Sequence, residues 1–354
     1  MKKHIRQWAM AILLCMAGSA WADSFTIEQF TIAANEEKQV SLYLDGTRNY
    51  IAFQLDMYLP AGVSIATNSR GKLIASVNMD MQEEAGDHSV TTNKLSDVEG
   101  HYRFIVDSSE NYAFSKKAGN VLDITLKASD MVTTGAQEIR LTEQVLNDED
   151  RNEITFEDTA LPFTTALRTT IRPLGYATFS WPRRVDFRGA EGLTAWIVTE
   201  VGDGSVKMEQ VEKVEEGTAV VLQGAEGTYE LSTFPDDGIC DDTEGNKLTG
   251  TANAPYTVEG DGVFVLSNKT DGIAGFYPAV TGLEIAQYKA YLNKSDVSLG
   301  VRFFAFDGTA SGISTANAEV ADDSCYDLMG RRVGSQGSLR KGLYIRNRKV
   351  ITVK

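Results

Sequence analysis

Cysteine and histidine are scarce, at three residues each in a chain of 354, and proline contributes only seven. Three cysteines cannot staple a disulfide scaffold. Three histidines leave few partners for a Ser-His-Asp or Cys-His nucleophile. Basic residues are outnumbered, 34 Lys and Arg against 49 Asp and Glu, for a net charge of −15. That excludes the basic surface from which general nucleic-acid binding starts. No stretch after Asp23 is long and apolar enough to cross a bilayer as a helix. No segment keeps an apolar period of 3.6 residues, so little helix is expected. The signatures His-Glu-x-x-His, Cys-x-x-Cys, the P-loop and Gly-x-Ser-x-Gly are all missing, and no motif implies a cofactor or a metal.

The chain opens on a basic stretch, Lys2, Lys3 and Arg6, followed by the apolar run Trp8 to Ala17 and the small-residue site Ala20-Trp21-Ala22. This is the order of a secretory signal peptide over residues 1–22, with cleavage between Ala22 and Asp23. The apolar run is too short for a membrane anchor. Cys15 follows Leu14 rather than a small residue, which argues against lipidation. Cleavage leaves His88, His101, Cys240 and Cys325. The two cysteines either pair in an oxidising compartment or stay free.

Beyond Asp23 the pattern is strand after strand. Ile51 to Leu59 places Ile51, Phe53, Leu55, Met57 and Leu59 on one face, a period of two, and Pro60-Ala61-Gly62 ends it. Phe25–Ile27, Val40–Leu44, Tyr102–Val106, Val121–Leu126, Glu138–Leu141 and Ile154–Phe156 continue the series. Turn residues recur every ten or so positions, the spacing of a β-sandwich. A second block starts near Thr169, with Ala177–Trp181, Leu193–Val201, Ser205–Val214, Tyr256–Val258, Val263–Leu266 and Val301–Phe306. Gly202-Asp203-Gly204 and Gly260-Asp261-Gly262 each read as a hairpin turn. Thr309 to Ala318 has linker composition. The expected fold is all-β: a sandwich over 23–168, a second β-rich sandwich over 169–308, a linker over 309–324 and a short β-hairpin tail over 325–354.

Three resemblances follow from these residues. Phe53-Gln54-Leu55-Asp56-Met57-Tyr58-Leu59-Pro60-Ala61-Gly62-Val63, with Tyr102–Val106 and Gly119–Leu126, resembles the cohesin-like, carbohydrate-binding-module-like sandwiches of secreted bacterial proteins. That resemblance implies a binding module. Gly175–Phe179, Glu191–Trp196, Gly217–Leu222, Gly275–Pro278 and Ala286–Leu292 are similar to a β-rich module of multidomain surface proteins in gut and oral anaerobes, with no chemistry attached. Tyr326 to Val333, with Gly330, Arg331, Arg332 and Val333, then Lys341-Gly342-Leu343-Tyr344-Ile345, resembles the C-terminal sorting domain of the type IX (Por) secretion system. That would make export machinery a partner of the tail.

Candidate chemistry is sparse. His101 opens a strand and His88 lies in a polar run, so both read as solvated or edge-strand residues. Cys240 sits among acids, which weaken a thiol nucleophile. Ser69-Arg70-Gly71-Lys72 matches Ser-x-x-Lys, a pattern that arises often by chance. Asn147–Glu153 and Asp236–Glu244 offer oxygen ligands for calcium without the order of an EF-hand loop, and both read better as solvated turns. Trp181, Trp196, Tyr176, Phe276 and Tyr277 are expected in the core rather than on a sugar-stacking face. Asp158-Thr159-Ala160 resembles a short acceptor motif for O-glycosylation. A glycoside hydrolase needs only two placed carboxylates, and nothing singles out a pair.

The net charge is unevenly distributed. Residues 1–22 hold three cations and no acid, and residues 325–354 hold eight cations against Asp327, leaving −25 for the body between. The sequence therefore points to a secreted or cell-surface protein that binds rather than catalyses. Its candidate partners are a glycan or a surface protein. The alternatives are a purely structural matrix protein and, less favoured, a carboxylate glycoside hydrolase.

Overall fold

The computed structural model describes residues 23–82, 87–95, 100–202, 204–234, 238–268, 273–294 and 303–306, and the backbone of four strands between 324 and 353. The expected signal peptide with Ala22, and the expected linker up to residue 323, lie outside the described residues.

The first block begins with β1 (Ser24–Ile27), β2 (Thr31–Ala33), β3 (Glu37–Asp45), β4 (Tyr50–Tyr58), β5 (Val63–Ile65) and β6 (Ala75–Val77). One 3-10 turn, Met79–Met81, is the only helical element among the described residues. Then come β7 (Ser89–Lys94), β8 (His101–Asp107), β9 (Ala118–Ala128), β10 (Gly135–Asp148), β11 (Glu153–Thr155) and β12 (Thr159–Ile171). One sheet runs β1-β3-β9-β5, with β6 also on β9. The other runs β12-β10-β4-β8-β7, with β11 on β10 and β2 parallel to β12. Alternation sends Leu42 and Leu44 of β3, Phe53, Leu55 and Met57 of β4, and Leu122 and Ile124 of β9 into one shared core. Each such side chain adds about 1.5–3 kcal/mol of burial free energy.

β12 belongs to two sheets' worth of pairing. Thr159–Thr165 pairs with β10, and Leu167–Ile171 pairs with a strand of the second block. Leu161 and Phe163 enter the first core, and Leu167 and Ile171 enter a second one. Position 168, where the sequence suggested a domain end, thus lies inside a continuous strand.

The second block comprises β13 (Tyr176–Phe179), β14 (Val185–Asp186), β15 (Leu193–Val201), β16 (Ser205–Val211), β17 (Lys213–Val214), β18 (Val220–Gly224) and β19 (Gly227–Thr233). It continues with β20 (Leu248–Gly250), β21 (Tyr256–Thr257), β22 (Val263–Ser267), β23 (Gly275–Pro278), β24 (Glu284–Ile285), β25 (Ala290–Asn293) and β26 (Phe304–Phe306). Its long sheet runs β13-β18-β15-β16-β26-β23-β22-β25-β20. The turn between β15 and β16 closes as expected, with Gly202 N–H donating to Ser205 O at 2.9 Å and Gly204 at a φ of 80°. The second expected hairpin is not one: β21 pairs with β24, and β22 pairs with β23 and β25. Gly260–Gly262 is a bend and turn between β21 and β22, but longer-range packing chooses the partners.

At the end, β27 (Ser324–Tyr326), β28 (Arg332–Ser335), β29 (Gly342–Arg346) and β30 (Lys349–Val353) form a sheet of order β28-β27-β29-β30. The β29-β30 pair is a hairpin, and two further strands extend it.

Candidate functional site

Strand β4 turns Phe53, Leu55 and Met57 inward, so Gln54, Asp56 and Tyr58 belong to the outward face. A carboxylate there should be wet, yet Asp56 is 2% exposed. Register explains the cover. Asp56 stands opposite Arg103 of β8 and Thr142 of β10, and Tyr58 stands opposite His101 and Arg140. Arg103 donates through Nε to Asp56 Oδ1 at 2.6 Å and through Nη2 to Asp56 Oδ2 at 2.9 Å. His101 Nε2 lies 2.9 Å from the same Oδ2, within hydrogen-bond range. The His101 ring stacks on Tyr58 with centroids 4.0 Å apart, and the Arg140 guanidinium lies 4.6 Å from the Tyr58 centroid. Five side chains on three adjacent strands therefore form one ordered polar and aromatic cluster.

Two backbone features hold it. Gly100, just before His101, takes a φ of 75°, and a Cβ there would sit 2.5 Å from Leu59 O, so only glycine lets the β8 entry approach the β4 exit. On β10 the register against β4 shifts between Thr142 and Val145, with Glu143 at a φ of 49°. This β-bulge turns Gln144 into the interior, where its amide donates to Glu157 O at 2.6 Å, and sets Glu143 in the field of Arg103.

Burial pushes the Asp56 carboxyl up, but hydrogen bonds from Arg103 and then His101 outweigh it and hold the carboxyl below its ordinary value. Asp56 is thus a fixed anion whose oxygens are already used. That suits positioning Arg103 and His101 on a surface and does not suit a general acid or base.

The remaining candidates sort by their contacts. His88 is buried rather than solvated: it is 7% exposed, stacks on Phe114 at 4.2 Å, and its Nε2 lies 3.2 Å from Ile51 O. Burial pushes its pKa down. His101 is also no edge residue, since β8 lies between β4 and β7. In the first acidic loop Asp148 accepts hydrogen bonds from Asp150 N, Asn152 N, Asn152 Nδ2 and Arg48, so its oxygens serve the turn. In the second, Asp241 caps the bend between β16 and β17 through Glu212 N and Lys213 N. Cys240 is free, and burial, then Glu215, pushes its thiol up.

Trp181, Phe276 and Tyr277 are buried, and Tyr176 and Trp196 are half-buried. Ser69 to Lys72 is an exposed turn in which Asn68 accepts from the N–H groups of Arg70 and Lys72. The Thr159 hydroxyl bonds to Glu157 O as β12 begins. Asp23, at the expected cleavage point, accepts from Thr47 N–H and the Tyr50 hydroxyl. Of the sorting-like residues, Gly330 and Arg331 lie outside the described residues. Arg332 and Val333 are in β28, and Gly342, Leu343 and Tyr344 are in β29.

Sequence reasoning did not single out the Asp56 cluster. The available signals were an acid at an outward position inside an apolar strand, and alternating His101 and Arg103 on another. Nothing local says that the two strands are neighbours.

No protein-family model and no curated protein matches the chain. Among solved structures, the chain is similar to a type I cohesin from Clostridium thermocellum in a cohesin–dockerin complex, at 12% identity over 42% of this chain and 97% of that one, with a TM-score of 0.32. It is similar to the seventh ScaB type I cohesin from Pseudobacteroides cellulosolvens, at 15% identity over 41% and 92%, with a TM-score of 0.33. It is also similar to a cohesin module from a Clostridium perfringens family 33 glycoside hydrolase, at 10% identity over 41% and 96%, with a TM-score of 0.32.

Proposed function

We propose that this chain is a non-catalytic binding protein that docks another protein on the outward face of β7-β8-β4-β10. One observation carries the reading: Asp56, Arg103, His101, Tyr58 and Arg140 are held in one arrangement on the outward face of three adjacent strands. Tyr and Arg are the residues that most often dominate protein interfaces. Locking them before contact lowers the entropy cost of association. The two buried carboxylates among the described residues, Asp56 and Asp148, are both taken by protein donors. Action outside the cytoplasm, with residues 1–22 removed and the basic tail read by export machinery, belongs to the same proposal and rests on the sequence.

A second reading is a rigid structural spacer. The continuous β12 favours it, as does the tie from Tyr288 Oη to Asp130 Oδ2 at 2.9 Å. Immobilising the full chain and passing secreted proteins of the source organism over it separates the two. The binding reading expects a protein retained by the wild type and lost with Tyr58→Ala or Arg140→Ala. No retention favours the spacer, and retention that ignores both substitutions overturns the proposed docking face. N-terminal sequencing of the exported protein is expected to begin at Asp23, and an uncleaved cytoplasmic product would contradict that part.

A further inference from the structure

A second site lies on the other sheet. β1 pairs with β3, while β2 pairs with β12 in the opposite sheet, so residues 28–30 leave one sheet for the other. The crossing arm, with Gln39, Ser41 and Tyr43 of β3, Asn120 of β9 and Arg168 of β12, borders an open groove of about 810 Å³. Along β3, Leu42 and Leu44 are buried, which sends Gln39, Ser41 and Tyr43 outward at intervals of about 7 Å. Asn120 of β9 stands beside Tyr43, and Gln29 comes from the arm.

The chemistry of the lining is selective. Each of the two cations at the groove already holds a protein acceptor: Lys38 Nζ donates to Thr31 O at 3.0 Å, and Arg168 Nε donates to Glu230 Oε1 at 3.1 Å. No hydrogen bond among the described residues uses the side-chain amides of Gln29, Gln39 or Asn120. Each amide offers donors and acceptors together, the pattern that matches the hydroxyls of a polyol. Tyr43, 40% exposed, presents a ring against which the C–H face of a pyranose packs. Glu28 and the acidic body disfavour an anionic ligand.

We propose that this groove binds a neutral oligosaccharide, with Tyr43 as the stacking platform and Gln39, Asn120 and Gln29 as hydroxyl readers. The site is separate from the Asp56 face, and neither depends on the other.

Titration calorimetry on the full chain tests it with cellohexaose, xylohexaose, mannohexaose and maltohexaose, against oligogalacturonate as the anionic probe. At least one neutral probe is expected to bind, and oligogalacturonate is not. Tyr43→Ala is expected to weaken binding about tenfold or more, corresponding to about 1.4 kcal/mol. Tyr43→Phe, which keeps the ring, should retain most of the affinity, and the double variant Gln39→Ala with Asn120→Ala should lose it. Tyr112→Ala, at an exposed tyrosine outside the groove, should change nothing. Silence from every neutral probe would overturn the proposal, as would wild-type affinity in Tyr43→Ala or equal binding of oligogalacturonate.

Discussion

Arg103 grips Asp56 with both oxygens engaged, at 2.6 and 2.9 Å, across the β4–β8 pairing. The acid is nearly fully covered, while Arg103 keeps a third of its side-chain surface in water. The pair is thus asymmetric. Losing Arg103 strands a buried anion, which His101 alone must then satisfy.

Arg103→Ala is therefore expected to destabilise the protein by about 2–4 kcal/mol, near the lower range for removing one partner of a buried ion pair. The double variant Asp56→Ala with Arg103→Ala should lose less than Arg103→Ala alone, because no unpaired charge remains. Urea unfolding of the three proteins gives the comparison. A double variant less stable than Arg103→Ala would contradict the asymmetry.

Acid should weaken the fold in two stages. Burial holds the folded His88 below its ordinary value of 6.5, so the unfolded chain takes the proton first as pH falls below 6.5, and stability declines from there. Asp56 is held below 3.8 in the fold, so its contribution is complete above about pH 5 and is lost as pH falls through its folded value, below 3.8. His88→Gln should flatten the first stage and Asp56→Asn should reduce the second, to which Asp148 and Asp186 also contribute, read from unfolding free energies between pH 3 and 8. Unchanged profiles would place the titrating groups elsewhere.

Glu143 holds a left-handed φ of 49° at the bulge, a conformation that side chains other than glycine adopt at a cost. Glu143→Gly relieves that strain, against a greater loss of chain entropy. The expected net gain is about 0.5 kcal/mol in thermal unfolding, together with weaker binding on the Asp56 face, because the Glu143 carboxylate acts on Arg103. A loss above about 1 kcal/mol would mean the bulge is held by the Glu143 side chain itself.

Much of the fold was legible because alternation is local. Ile51 to Leu59 announced β4 and its buried face, and Pro60 marked its end. Pairing was less legible. The Gly260–Gly262 turn looked like a hairpin, yet β21 found β24 and β22 found β25, because partners are chosen by the whole sheet. His88 misled because its polar neighbours Asp87 and Ser89 suggested water, while its own ring packs on Phe114, far along the chain. The Asp56 cluster stayed hidden for the same reason. Its partners His101 and Arg103 meet it only through β-sheet register.

Hydroxyl-radical footprinting of the chain with and without the protein it retains tests the central claim most directly. If the outward face of β7-β8-β4-β10 is the docking surface, Tyr58 and His101 lose reactivity on binding while Tyr43 and Tyr112 keep theirs. Unchanged reactivity at Tyr58 and His101 in the bound state would contradict it.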